Sequence, residues 1–255
     1  MQNDIILKDL SFNYEGTPVL ENINLHYSKK DFLAIIGPNG GGKSTLLKLM
    51  IGILKPQHGS VTLFGKSPGQ VSERISYVPQ NTFTTKGFPI QVLDIVLMGR
   101  LSKTKSFSFY SKNDKAMALK MLEKVGMETF AHHKINALSG GQRQRVFIAR
   151  ALASEAEILF LDEPTASIDT AGQIDIFKLL KQLNESIGII IISHDINVAM
   201  NYATKVAHVN KTLYLHDVGN AKNFAIFDTK ETPVHICPIE LITATRCTHL
   251  HPKQS

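Results

Sequence analysis

The run GPNGGGKST, residues 37–45, leaves this chain few folds to choose from. It follows the apolar stretch LAIIG (33–37) and runs into KSTLLKLMIGIL, so it reads as strand, loop and helix in succession. Glycines let a backbone turn sharply and approach a ligand closely. Gly37, Gly42, Lys43 and Ser44 fit the spacing G-x-x-x-x-G-K-[ST], and a strand before it and a helix after it separate a phosphate loop from a chance glycine-rich turn. On that reading the loop of Gly37, Pro38, Asn39, Gly40, Gly41 and Gly42 wraps backbone N–H groups around phosphates. Lys43 supplies a point charge toward the β- and γ-phosphates, Ser44 offers a hydroxyl to Mg²⁺, and Thr45 carries the chain into the helix. Leu46, Leu47, Met50 and Ile53 recur at spacings of three and four, the period of a packed helix face.

The rest of the chain extends this unit. From Ile5 to Phe64, short apolar runs are broken by polar turns. After EILFLDEP comes a helix within DTAGQIDIFKLLKQLN, then GIIIISHD, a strand–helix rhythm that predicts a parallel central sheet. Strand signals fade between Phe88 and Asn136. There SKNDKAMALKMLEKVGM opens with Ser111 and Asp114 in capping-box spacing and closes on Gly126, the mark of a helical insert. Beyond His208 few helix or strand signals remain, and a small appendage or loosely ordered tail is expected.

With 255 residues, 43% of them hydrophobic, the chain can build one large α/β domain or a core with a smaller insert. The longest strongly apolar run, IGIIII (187–192), is far short of the ~20 residues a bilayer crossing needs. MQNDIILKDL has no basic n-region or cleavage site, so a cytosolic location is expected. The two cysteines, Cys237 and Cys247, provide no disulfide framework. A net charge of +6 suits nucleic acid, an anionic membrane or polyphosphate ligands, and selects none of them.

Three further stretches carry chemistry. ILFLDEP sets Asp162 and Glu163 at the carboxyl end of a buried strand, where α/β sheets bind ligands; Asp162 is expected to hold Mg²⁺ and Glu163 to orient and polarise water. Gln80 in ISYVPQ and His194 in IIIISHD each end an apolar stretch with one polar side chain at the same sheet edge, where γ-phosphate sensing and a structural role both stay open. Tyr14 in LSFNYEG could stack on a base or sit at the rim of the core. In LSGGQRQR, Ser139, Gly140 and Gly141 start a helix whose unpaired N–H groups and positive dipole favour an anion. A loop and a helix start enclose one phosphate from opposite sides only if the chain folds back or a second copy supplies one of them.

GPNGGGKST, VPQ, LSGGQ, LFLDEP, SID and SHD occur in the order found in ATP-binding-cassette (ABC) ATPases, a resemblance covering roughly residues 5–210. It implies an α/β fold: an ABC ATPase core with a mixed sheet, an antiparallel β subdomain and a helical insert. The ATPase domain is expected over 1–218, with the helical part at about 87–152 and an appendage at 219–255. The resemblance further implies a head-to-tail homodimer, in which Ser139, Gly140, Gly141 and Gln142 of one copy close over ATP held by the other. By the same carry-over Tyr14 stacks on adenine, Gln80 touches Mg²⁺ and relays to a partner, and Lys43 and His194 contact the transferred phosphate. Glu163 is the catalytic base, and Asp169 couples the two sites.

FPIQVLDIVLMGR (88–100) looks like the equivalent stretch in ATPase subunits of bacterial zinc and manganese importers, and the siderophore, haem and cobalamin importers have similar stretches. The expected function is therefore ATP hydrolysis, with ATP and Mg²⁺, on the cytoplasmic face of the inner membrane. Separate permease subunits and, indirectly, a substrate-binding protein are the implied partners. ABC ATPases of translation or repair, and ATP-dependent scaffolds, are the alternatives; one cassette without sustained heptads argues against a nucleic-acid partner. In the tail, CTHLH projects Cys247, His249 and His251 to one side of an extended backbone, and HIC does the same for His235 and Cys237. With His208 and His216 these suit Zn²⁺, against the alternative of incidental histidines.

Overall fold

Successive side chains of a strand point to opposite faces, so a strand apolar at every position must be covered on both sides. In the computed structural model, which describes residues 3–80, 90–101, 110–166 and 168–218, three strands are covered on both sides in this way. They are β3 (Phe32–Ile36), β6 (Ile158–Asp162) and β7 (Gly188–Ile192), buried throughout. They lie at the centre of a six-stranded sheet of order β5-β6-β7-β3-β8-β9, with β5 at Ile75–Val78, β8 at Lys205–Asn210 and β9 at Thr212–Asp217. All neighbours pair parallel except β8 and β9, so the sheet is mixed.

A second sheet, antiparallel and of order β2-β1-β4, joins β1 (Ile5–Tyr14), β2 (Thr17–Tyr27) and β4 (His58–Leu63). Leu7 and Leu10 differ by an odd number of residues yet are both fully buried. A register shift between them, with Asp9 at φ 49°, is the bulge that keeps both on the inner face.

The central sheet separates two cores. On one face Leu33, Ile35, Phe160, Ile190 and Ile192 pack with helix α1 (Lys43–Met50) and the antiparallel sheet. On the other, Ala34, Ile36, Leu159, Leu161 and Ile191 meet α2 (Val92–Met98), α3 (Lys112–Lys124), α4 (Gly140–Ala153), α5 (Thr170–Leu183) and α6 (Ile196–Tyr202). The capping box expected at Ser111 is present: its Oγ accepts from Asp114 N–H at 3.1 Å, and Asp114 Oδ2 accepts from Ser111 N–H at 3.0 Å. Asp114 also receives the buried Arg100 Nε at 3.0 Å, while Arg100 Nη1 reaches Ala153 O at 2.9 Å and Glu155 Oε2 at 2.6 Å. One guanidinium thus ties the end of α2 to the start of α3 and the end of α4.

Two expectations are corrected. Ile53 does not share the packed face of α1: the helix stops at Met50, the chain turns through Gly52 at φ 78°, and Ile53 is 60% exposed. The chain beyond His208 is not all appendage, because β8 continues to Asn210 and β9 follows. Their hairpin turns at Lys211, φ 59°, without the glycine that usually announces such a turn. His208 and His216 therefore belong to the central sheet and not to a tail metal site, and the described residues contain no group of three or more His, Cys, Asp or Glu placed to hold a metal. The tail residues His235, Cys237, Cys247, His249 and His251, like Phe88, lie outside the described residues.

Candidate active site

Residues 37–42 connect β3 to α1 and are seated between β2 and β8. A Cβ on Gly37, φ 144°, would lie 2.1 Å from Val209 O, and one on Gly42, φ 99°, would lie 2.7 Å from Leu20 Cδ2. Both positions need glycine for space and for conformation. Lys211 N–H donates to Gly41 O at 3.1 Å, which fixes the loop against the β8–β9 turn. Gly42 gives α1 no side-chain cap, so its first N–H groups face the loop, an arrangement suited to an anion. Lys43 is buried with its Nζ donating to Gly37 O at 3.0 Å and Pro38 O at 2.9 Å. Burial lowers its pKa, opposed by the charges of Glu163 and Asp162.

Adjacent parallel strands end side by side, and β5, β6 and β7 deliver four polar groups, Gln80, Asp162, Glu163 and His194, to one edge. Asp162 closes β6, with Ser44 Oγ donating to its Oδ1 at 3.4 Å and Tyr77 OH to its Oδ2 at 3.4 Å. Burial, then the charge of Glu163, raises the Asp162 carboxyl above its usual range; burial pushes the Tyr77 phenol up to about 12, helped by Asp162. Glu163 leaves the strand in the left-handed region, φ 49°, while its N–H donates to Ile192 O at 3.2 Å. Its carboxylate meets two groups: Gln80 Nε2 donates to Oε2 at 2.5 Å, and the His194 imidazole contacts Oε1. The structure therefore joins Ser44 to Asp162, and Gln80 and His194 to Glu163, around the Lys43 loop.

The other predicted residues lie elsewhere. Ser139 caps α4: its Oγ accepts from Gln142 N–H at 3.2 Å, and Gln142 Oε1 accepts from Ser139 N–H at 2.9 Å. Both side chains are thereby committed to the helix start, and Gly140 and Gly141 present backbone alone. These four line a cavity of about 360 Å³ with Ile168 and Asp169, and Asp169 itself caps α5 by accepting from Gly172 N–H at 3.0 Å. Among the described residues no hydrogen bond or ion pair joins this group to Lys43, Ser44 or Glu163. Tyr14 is 46% exposed at the end of β1, its ring edge-on to Phe12 with centroids 4.9 Å apart. Tyr77 is the site neighbour that the sequence did not mark. Its signal is a polar-tipped aromatic three residues before Gln80, on the strand beside Asp162.

A glycine loop at a helix start, with a buried lysine and carboxylates at the ends of parallel strands, defines a phosphate-loop nucleotide hydrolase. The chain belongs to the ABC transporter family, whose model matches residues 20–166, and it is an ATP-binding, ATP-hydrolysing protein. The zinc uptake system ATP-binding protein ZurA of Listeria monocytogenes is 38% identical, the match covering 84% of this chain and 85% of that protein. The manganese transport system ATP-binding protein MntB of Halalkalibacterium halodurans is 40% identical, covering 83% and 85%. Among solved structures, a metal-chelate type ABC transporter in an inward-facing conformation is similar at TM-score 0.78 and 33% identity, covering 88% of this chain and 86% of that one. A bacterial ABC transporter cassette solved as a dimer is similar at TM-score 0.68 and 29% identity, covering 84% and 98%. Among the described residues no helix is long and apolar enough to cross a membrane.

Proposed function

We propose that this chain is the ATP-hydrolysing subunit of a bacterial ABC importer for a transition-metal ion, zinc or manganese, driving transport through separate membrane subunits. The convergence of Gln80, Asp162, Glu163 and His194 beside the 37–45 loop carries the hydrolytic part of this reading. The names of ZurA and MntB support the ion.

The oxygen donors of Ser44 and Asp162 fit a hard cation, and the carboxylate made costly by burial and by Glu163 is one that a cation relieves. These two residues would hold Mg²⁺, which when bound neutralises phosphate charge. Lys43 exchanges two neutral carbonyl partners for anionic phosphate oxygens, so that acceptor as well as donor is then ionised. Glu163 accepts a proton from the attacking water as the water oxygen bonds to the γ-phosphorus and the bond to the ADP oxygen breaks. Gln80 and His194 keep the Glu163 carboxylate oriented for that transfer. Residues 139–142 of a second copy close over the nucleotide head to tail, Asp169 couples the paired sites, and Tyr14 stacks on adenine. The dimer works at the cytoplasmic face of the inner membrane, peripheral to its permease and served by a substrate-binding protein.

The test is transport. Reconstituted with its membrane subunits in proteoliposomes, the chain should drive ATP-dependent uptake of zinc or manganese, abolished by Glu163→Gln. Uptake of a ferric siderophore, haem or cobalamin in place of either ion would overturn the metal-ion reading.

A further inference from the structure

We propose that Tyr77 is a positioning residue that sets the orientation of the Asp162 carboxylate through its hydroxyl. The register of β5 against β6 pairs Tyr77 with Phe160, and the period of two places Tyr77, Phe160 and Asp162 on the face that packs with α1. Tyr77 OH reaches Asp162 Oδ2 at 3.4 Å, and Ser44 Oγ reaches Oδ1 at the same distance. The carboxylate is thus held between hydroxyls from two different elements, one per oxygen. Both are long for O–H···O bonds, so each is a modest restraint on the carboxylate.

The two hydroxyls are not equivalent. On the reading given under Proposed function, on which this inference rests, Ser44 turns its oxygen toward a cation; Tyr77 then remains as the side-chain donor that fixes Asp162. A phenylalanine would fill nearly the same volume between Ile75 and the strand end, so packing alone does not call for the hydroxyl. The nearby charge of Glu163 makes a fixed orientation matter, because a freely turning Asp162 would spread its charge toward a second carboxylate.

The experiment measures binding of a fluorescent ADP analogue, in EDTA and across a Mg²⁺ titration, for wild type, Tyr77→Phe and Tyr77→Leu. Binding in EDTA and thermal stability should be unchanged for Tyr77→Phe, while the Mg²⁺ concentration giving half of the cation-dependent tightening rises roughly three- to tenfold, the scale of one lost hydrogen bond. Tyr77→Leu should show the same Mg²⁺ shift, and in an Asp162→Asn background Tyr77→Phe should add nothing. An unchanged Mg²⁺ midpoint in Tyr77→Phe, an equal loss in EDTA and in Mg²⁺, or a shift confined to Tyr77→Leu overturns the role of the hydroxyl. A wild-type chain that binds no nucleotide under either condition overturns the site reading itself, a result distinct from the other three.

Discussion

The Gln80 amide donates to Glu163 Oε2 at 2.5 Å across 83 positions of sequence. With His194 on the other oxygen, Glu163 is restrained by groups following two different strands, β5 and β7, and none of these contacts involves the phosphate loop. Replacing its carboxylate with an amide should therefore separate chemistry from binding. Glu163→Gln is expected to bind ATP with wild-type affinity and to lose ~10²–10⁴ of turnover, the usual cost of removing a general base. Gel filtration with ATP should then show an accumulating dimer. Undiminished hydrolysis by this variant excludes Glu163 as the base.

Gly37 and Gly65 both have positive φ, but only Gly37 is crowded, with Val209 O 2.1 Å from the position of a Cβ; around Gly65 nothing lies within 4 Å. Gly65→Ala is expected to cost about 1 kcal/mol of stability through backbone strain and to leave ATP binding alone. Gly37→Ala must move the loop off β8, and ATP affinity should fall on the order of a hundredfold as several phosphate-facing N–H groups lose their aim. Equal ATP affinities for the two variants would show that the seat on Val209 does not shape the loop.

Why these residues were or were not readable follows from the range of the forces involved. The phosphate loop, the Ser111 cap and the strand-end carboxylates are local patterns whose physics acts within a few residues, and the sequence displays them directly. The convergence at one edge could be anticipated for Gln80 and His194, because parallel strands end together. Tyr77 escaped because a tyrosine in an apolar strand reads as core, and its role depends on register with Phe160, which only pairing reveals. The β8–β9 hairpin escaped because the left-handed turn position is taken by Lys211, where a glycine would have announced it. Ile53 reads as part of a helix face because the apolar period runs past Gly52, where the helical backbone does not.

Ser139 lies with Asp169 beside a cavity and apart from Lys43 of the same chain, so a head-to-tail dimer predicts complementation. Ser139→Arg places a bulky cation at the start of α4, and Lys43→Ala empties the phosphate loop of its charge; each homodimer should have two damaged sites. Mixed dimers gather both lesions at one site and should recover roughly half of the wild-type ATP bound per dimer, since binding to an independent intact site is unaffected. Equilibrium dialysis of tagged, purified mixed dimers measures this. No recovery in them would rule out the trans arrangement.

Glu157 accepts from Arg74 Nε at 2.6 Å and Lys29 Nζ at 2.9 Å, and these partners, Arg74 foremost, hold its carboxyl at about 2 against an ordinary value near 4.5. Because the folded-state value is depressed, the stabilisation is fully present above about pH 4.5 and is lost as pH falls toward 2. Glu157→Gln should therefore melt below wild type at pH 7, with the gap in Tm narrowing between pH 4.5 and 2. A gap independent of pH would assign the difference to something other than this carboxylate's charge.

The seating of the phosphate loop on β8 has a consequence for synthesis. Residues 37–45 leave the ribosome early, but the carbonyl of Val209 and the N–H of Lys211 against which they rest, and the strand β7 beside β3, are made near the end of the described chain. At roughly 5–20 residues per second, the loop waits on the order of ten seconds or more for its seat. A chain interrupted before residue 205 carries the whole motif and its β2 neighbour but lacks the β8 side of the seat. Competence to hold nucleotide thus arrives late, and fragments released from stalled translation are not expected to compete for ATP with finished subunits.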